Sequence, residues 1–354
     1  MYSTKIFCLR KFGGFAENNS MNTPISPALR RRALLGLATT ALLPAAAFAQ
    51  AAPAPAAWPD RPLRIVIPVA PGGSLDILGR IVARQLTGSL GQPVVAENHP
   101  GAGSNLAFEL VARSRPDGHT LVVGSDPLTI NPALYRRIGF DPVRDFAPVA
   151  ELVRAAQVLV VRNTLPATDV AGFLRLARQA EGAMTLASQG NGSIGHLAGA
   201  LLSSQTGIGF THVPYRGGGP AVVDVVAGHV DSLLVTLPAA IEHIRGGRLR
   251  ALAVSSASRS AALPAVPTLA ESGLPGFDVV TWQGILAPAG TPEPIIRRLN
   301  AALLEALRRP EVAEGLTAQG FEVTGTSPEA FAVLVREEAT RWPPIVRAAG
   351  ASLD

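Results

Sequence analysis

Four short runs combine glycine with hydroxyl or acidic side chains at one kind of place, the turn from a strand-like segment into a helix-like one. Pro71-Gly72-Gly73-Ser74-Leu75-Asp76 is the first and Gly101-Ala102-Gly103-Ser104 the second. The third runs from Ala187 through Ser188, Gln189, Gly190, Asn191, Gly192 and Ser193 to His196, and the fourth is Tyr215-Arg216-Gly217-Gly218-Gly219. A helix start leaves its first N–H groups unpaired and carries the positive end of the helix dipole, so such turns suit a carboxylate or another anion. Glycines there also serve tight turns alone, and an acid such as Asp76 in a first helical turn also serves simply to occupy N–H groups. Four such turns, two in each half of the chain, argue for a shared cleft, because ligands of open α/β sheets bind outside the carboxyl ends of the strands.

Signatures of covalent or metal chemistry are weak by comparison. The chain has no GK[ST] run, and a dinucleotide fingerprint on the second loop would need glycine where Leu106 stands. Neither Ser74 nor Ser193 sits in a G-x-S-x-G elbow. The six histidines (His99, His119, His196, His212, His229 and His243) form no H-x-x-x-H pair, and the single cysteine, Cys8, lies near the start. A zinc site is therefore not expected. His196 could act as a base for Ser193, but a base needs an orienting partner that the sequence does not identify, so bracing of the loop is the favoured role. Arg216 suits either an anion or solvent, and Trp282 suits a core. The expectation is binding without catalysis, metal or cofactor.

The elements that must hold these turns follow an alternating rhythm. Leu63 to Val69 is a β-branched run, and after Ser74 the residues Leu75, Leu78, Val82 and Leu86 make a helical stripe. A second strand begins at Gln92, a second helix ends near Val111, and Thr120 to Val123 is a third strand. The stretch from Asp126 to Phe146 holds Pro127, Pro132 and Pro142 and reads as a long functional loop. The rhythm resumes at 150–161, with strands at 185–188, 231–235 and 250–254 between helices at 170–181, 193–206 and 238–246, and a further strand at 279–287. Two helical stretches close the chain, the last with Phe331, Leu334, Val335 and Trp342 on one stripe. The pattern predicts α/β architecture in two lobes, each a mostly parallel sheet flanked by helices, with crossings near 150–157 and 278–284.

Charge and the first fifty residues say where the chain works. Six basic residues, Lys5, Arg10, Lys11 and Arg30 to Arg32, precede position 50 beside one acid, Glu17, whereas 25 arginines face 25 acids after it. The body is neutral and free of lysine, which removes the electrostatic basis for binding nucleic acid. Arg30-Arg31-Arg32, the apolar stretch from Ala33 and the Ala47-Phe48-Ala49 end have the layout of an export signal, of twin-arginine or general secretory type. We expect residues 1–49 to be that signal, with translation starting at Met1 or Met21, and residues 50–57 a flexible leader. Removal of the signal removes Cys8, so the exported product needs no disulfide.

Taken in order, the motifs resemble the Bug-type periplasmic solute-binding receptors of tripartite tricarboxylate transporters. The resemblance rests on Trp58-Pro59, Pro68-x-x-Pro71-Gly72-Gly73-x-x-Asp76, Pro100-Gly101-Ala102-Gly103, Pro116-Asp117-Gly118 and Asp145-Phe146-x-Pro148-Val149. It continues through Ser188-x-Gly190-Asn191-Gly192-Ser193, His212 to Gly218, Pro264-x-Val266-Pro267-Thr268 and Ala287 to Pro292, and so covers residues 58–354. It implies a two-lobed Venus-flytrap fold, with lobe 1 formed by 58–155 plus 283–354 and lobe 2 by 156–282. It further implies a monomeric periplasmic protein that closes on a small organic acid and delivers it to membrane permease subunits. Ligand contacts are implied for Gly72, Gly73 and Ser74, with Asp76 ordering the loop, and for Ser188, Asn191, Ser193, Tyr215, Gly217 and Gly218. His99, His119 and Ser104 depart from the usual pattern, and Ser104 and Gln189 add polar groups near the cleft. A ligand sensor docking on a membrane protein, and a serine hydrolase built on Ser193 and His196, are the competing readings.

Overall fold

A computed structural model describes residues 58–348. The expected export signal and leader lie outside the described residues. Among these, no helix is long and apolar enough to cross a membrane.

Three parallel strands begin the chain: β1 (Leu63–Ile67), β2 (Val94–Asn98) and β3 (Thr120–Ser125). They are joined by α1 (Ser74–Leu90) and α2 (Asn105–Ala112). The predicted stripe of α1 is its buried face, with Leu78 and Leu86 fully shielded, and Gly91 ends the helix in the left-handed conformation. β1 lies between β2 and β3, so the carboxyl ends of all three point the same way.

The segment expected to be a loop contains a helix, α3 (Pro127–Leu134). Proline is well suited to a first helical position, where its missing N–H would have no partner anyway. Pro132 sits inside the helix, and packing offsets its cost: Leu128, Ile130 and Leu134 are all buried.

The two halves are sewn together by β4 (Phe146–Arg162), a 17-residue strand. Its first part, to Ala156, pairs antiparallel with β9 (Val280–Pro288), which in turn pairs antiparallel with β3. Its last part, from Gln157, pairs antiparallel with β7 (Ser232–Thr236) on one edge and β8 (Leu249–Val254) on the other. The second half repeats the parallel scheme, with β5 (Thr185–Ser188) between β6 (Thr211–Pro214) and β7. Its helices are α4 (Val170–Gln179), α5 (Ile194–Thr206), α6 (Gly218–Ala227) and α7 (Leu237–Arg245). Each sheet is thus mixed, not mostly parallel. Strands that cross between two bodies meet the parallel triplets from the opposite direction, and so pair antiparallel.

The chain closes with α8 (Glu293–Arg308), α9 (Pro310–Ala318), the short β10 (Phe321–Val323) against β4, and α10 (Pro328–Ala348). Three helices stand where two were expected, because Pro310 restarts the helix after Arg309. On α10 the expected stripe faces the core, with Leu334 only partly buried: Phe331 stacks edge-on against Trp282, and Trp342 packs with Ile130 and Leu134 of α3.

Candidate functional site

The carboxyl ends of both parallel triplets open onto one cavity of about 520 Å3. From the first lobe come the Gly73–Leu75 start of α1, the Pro100–Ser104 turn, and Ser125 and Asp126 at the end of β3, and from the crossing strand β9 come Thr281 and Gln283. From the second come Gln189 to Asn191, Ser193, Ile194, Pro214 to Arg216, Gly218 and Thr236. The helix starts of α1, α5 and α6 all reach this space, so first-turn N–H groups face it from both sides.

The walls touch each other. Ala70 N donates to Arg216 O at 2.9 Å, and Thr236 Oγ1 donates to Ser74 Oγ at 2.8 Å. Here the glycines have a steric reason. A Cβ on Gly219 would stand 2.1 Å from the carbonyl oxygen of Pro71, and one on Gly73 would lie 3.3 Å from Gly218 N. Gly192 meets Asn131 of α3 in the same manner. Side chains at these points would wedge the lobes apart.

Six of the ten residues expected at the site line the cavity: Gly73, Ser74, Asn191, Ser193, Tyr215 and Gly218. The other four stand behind it. Gly72 N donates to Asp76 Oδ2 at 3.0 Å, and Asp76 Oδ1 accepts from Asn98 Nδ2 and from Arg80, each at 2.9 Å. Burial opposes ionisation of Asp76, but Arg80 and these N–H donors outweigh it and hold the carboxyl below its usual range. Ser188 Oγ is hydrogen-bonded to His212 Nε2 at 2.8 Å and to the Gly190 backbone, and Gly217 packs on Val69 and Ala70.

Mainly neutral groups brace the second-lobe wall. The imidazoles of His196 and His212 stack with centroids 4.3 Å apart. Desolvation of the stacked rings lowers both pKa values, that of His212 to about 4 with help from repulsion by His196, although His212 as a residue keeps an exposed surface. Tyr215 donates its hydroxyl to Asp224 at 2.6 Å; burial and that carboxylate push the phenol up to about 12. Ser193 caps α5: its Oγ accepts from His196 N at 3.3 Å and donates to Gly190 O at 2.6 Å. The His196 ring turns instead to Gly192 N, at 3.4 Å. Ser193 is thus placed as a helix cap, not as a nucleophile beside a base.

Ser104 lines the cavity with φ of 82°, a conformation costly for any residue with a Cβ; its hydroxyl bonds to Pro68 O at 3.2 Å. Gln189 also lines the cavity, and Arg216 does so from an exposed position. His99 and His119 lie elsewhere, against Glu97 and against Asp60 and Asp117. Sequence reasoning missed Asp126, Thr236, Thr281 and Gln283. They come from strand ends and a crossing strand and share no local motif. Among the described residues, no group of three or more His, Cys, Asp or Glu side chains could hold a metal ion.

Residues 78–351 match the family described as the tripartite tricarboxylate transporter family receptor. Protein BugT of Bordetella pertussis is 38% identical over 298 residues, which cover 84% of this chain and 91% of that protein. Among solved structures, R. palustris Rpa4515 with adipate is 35% identical with a TM-score of 0.81, covering 84% of this chain and 100% of that one. MatC from Rhodopseudomonas palustris with bound malate is 36% identical with a TM-score of 0.77, covering 82% and 100%.

Proposed function

Because the chain belongs to the receptor family of tripartite tricarboxylate transporters, we propose that it captures a small carboxylate-bearing solute by closing two lobes on it and delivers that solute to a membrane permease. The observation that carries this reading is the arrangement of helix starts from both lobes around one cavity whose walls are shaped by glycine to meet. Backbone N–H groups would hold the carboxylate, with Ser74, Asn191 and Ser193 adding hydroxyl and amide contacts. Gly72, Asp76, Ser188 and Gly217 would hold the two walls in shape. Relatives with adipate and malate bound support an organic acid as cargo.

In this reading β4 and β9 are the hinge, lobe 1 is 58–155 plus 283–354, and lobe 2 is 156–282. The protein works in the periplasm as a monomer and turns nothing over; the capping role of Ser193 supports binding without catalysis. Solution scattering of the mature chain tests closure. The radius of gyration should fall when an organic acid that raises the melting midpoint is added to saturation. An unchanged radius would sink the hinge.

A further inference from the structure

Donors and acceptors are unevenly spread around the cavity. The helix starts supply N–H donors. Beside the α1 start lie Asp126, Thr281 and Gln283, each 2% exposed or less. Thr281 Oγ1 donates to Asp126 Oδ2, so its proton is spent. Gln283 Nε2 donates to Ser74 Oγ at 2.8 Å, which leaves Gln283 Oε1 buried without a partner. Ser74 Oγ accepts from Thr236 as well, at 2.8 Å. A carboxyl group and an orphaned amide oxygen therefore share this part of the wall. A buried acceptor without a donor is costly, and a ligand donor would recover that cost.

We propose that Asp126 and Gln283 form a subsite for a hydrogen-bond donor, so that the cargo is a small acid that also carries an amino or hydroxyl group. The proposal rests on the carboxylate reading above and narrows it. A second carboxylate seated here would face Asp126 in a water-poor space and be repelled unless one of the two took up a proton. Burial, opposed by the Thr281 hydroxyl and reinforced by Glu338, raises Asp126 to about 7. Glu338 faces it from α10, held by Arg341 at 3.2 Å and by Trp342 Nε1 at 2.6 Å. Arg154 of β4 and Asp278 line the small cavity behind it, and Arg216 lies on the main cavity's exposed side. An ammonium group would draw Asp126 into its charged form, whereas a diacid would require the protonated form and lose affinity as pH rises.

Calorimetry with hexanoate, ω-hydroxyhexanoate, ω-aminohexanoate and adipate, and with their four-carbon counterparts, tests this at pH 6 and pH 8. At pH 8 a donor-bearing acid should bind about tenfold or more tighter than its unsubstituted and diacid counterparts. Asp126→Asn should erase that preference. The amino and hydroxyl arms identify which donor is read. Gln283→Met, which removes the orphaned oxygen at similar volume, should weaken the same preference and keeps the test open if Asp126→Asn fails to fold. A diacid preferred at pH 8, or a donor preference surviving both substitutions, overturns the subsite alone. Failure of every acid to bind overturns the carboxylate reading and the subsite together.

Discussion

The two walls of the cleft present similar glycine turns but are held in shape by different physics. The first-lobe wall is fastened by charge: Asp76 binds Gly72 N, Asn98 and Arg80. The second-lobe wall is fastened mainly by neutral groups, the Ser188–His212 hydrogen bond, the His196–His212 stack and the Ser193 cap, with one carboxylate, Asp224, behind Tyr215. A depressed carboxylate stays ionised through the whole range in which an imidazole titrates. Acid should therefore loosen one wall and spare the other.

The largest expected effect tests what the walls share, their need to meet. Gly219 has ordinary backbone angles and opens α6, so alanine is tolerated there until its Cβ meets Pro71 O across the cleft. Gly219→Ala should fold normally yet lose ligand affinity by about 100-fold, or ~2.7 kcal/mol. Unaltered affinity would mean that the walls do not close as drawn. Next is Asp76→Ala, which strands the Gly72 amide and the groups that meet Asp76. Denaturant unfolding should show a loss of about 2 kcal/mol at pH 7.

The pH response sharpens the contrast. The His212 pKa is depressed from 6.5 to about 4, so the folded state binds fewer protons than the unfolded one in that window. Its stabilising contribution is present above pH 6.5 and is lost as pH falls toward 4. Asp126 works in the opposite direction. Raised from 3.8 to about 7, it favours the fold at low pH and loses that contribution as pH rises through 7. The histidine term is therefore best read in an Asp126→Asn background. There the melting midpoint should fall between pH 6.5 and 4, and adding His212→Gln should flatten the fall. The Asp76 carboxyl, lowered below 3.8, should contribute its own loss only beneath that window. The smallest effect belongs to Ser193→Ala, which removes the α5 cap at a cost of about 1 kcal/mol by chemical denaturation.

Local chemistry made much of this legible before any coordinates. The four turns declared themselves because strand-to-helix turns need particular residues, and the α1 and α10 stripes because buried helix faces recur every three to four positions. The prolines misled: Pro127 opens α3 where a loop was expected, since a first-turn proline and a breaking proline look alike without the packing around Leu128 and Ile130.

What the sequence determined by itself was the set of turns, the neutral lysine-free body and the family to which the chain belongs. Those properties are written in neighbouring residues or in their ordered recurrence. Tertiary structure alone decided which turns face each other and which glycines keep the walls from colliding. It also seated Asp126 against Thr281, 155 positions away, and left Gln283 with an unpaired oxygen. Such contacts depend on a long crossing strand that brings distant segments to one cavity, and no local pattern encodes that meeting.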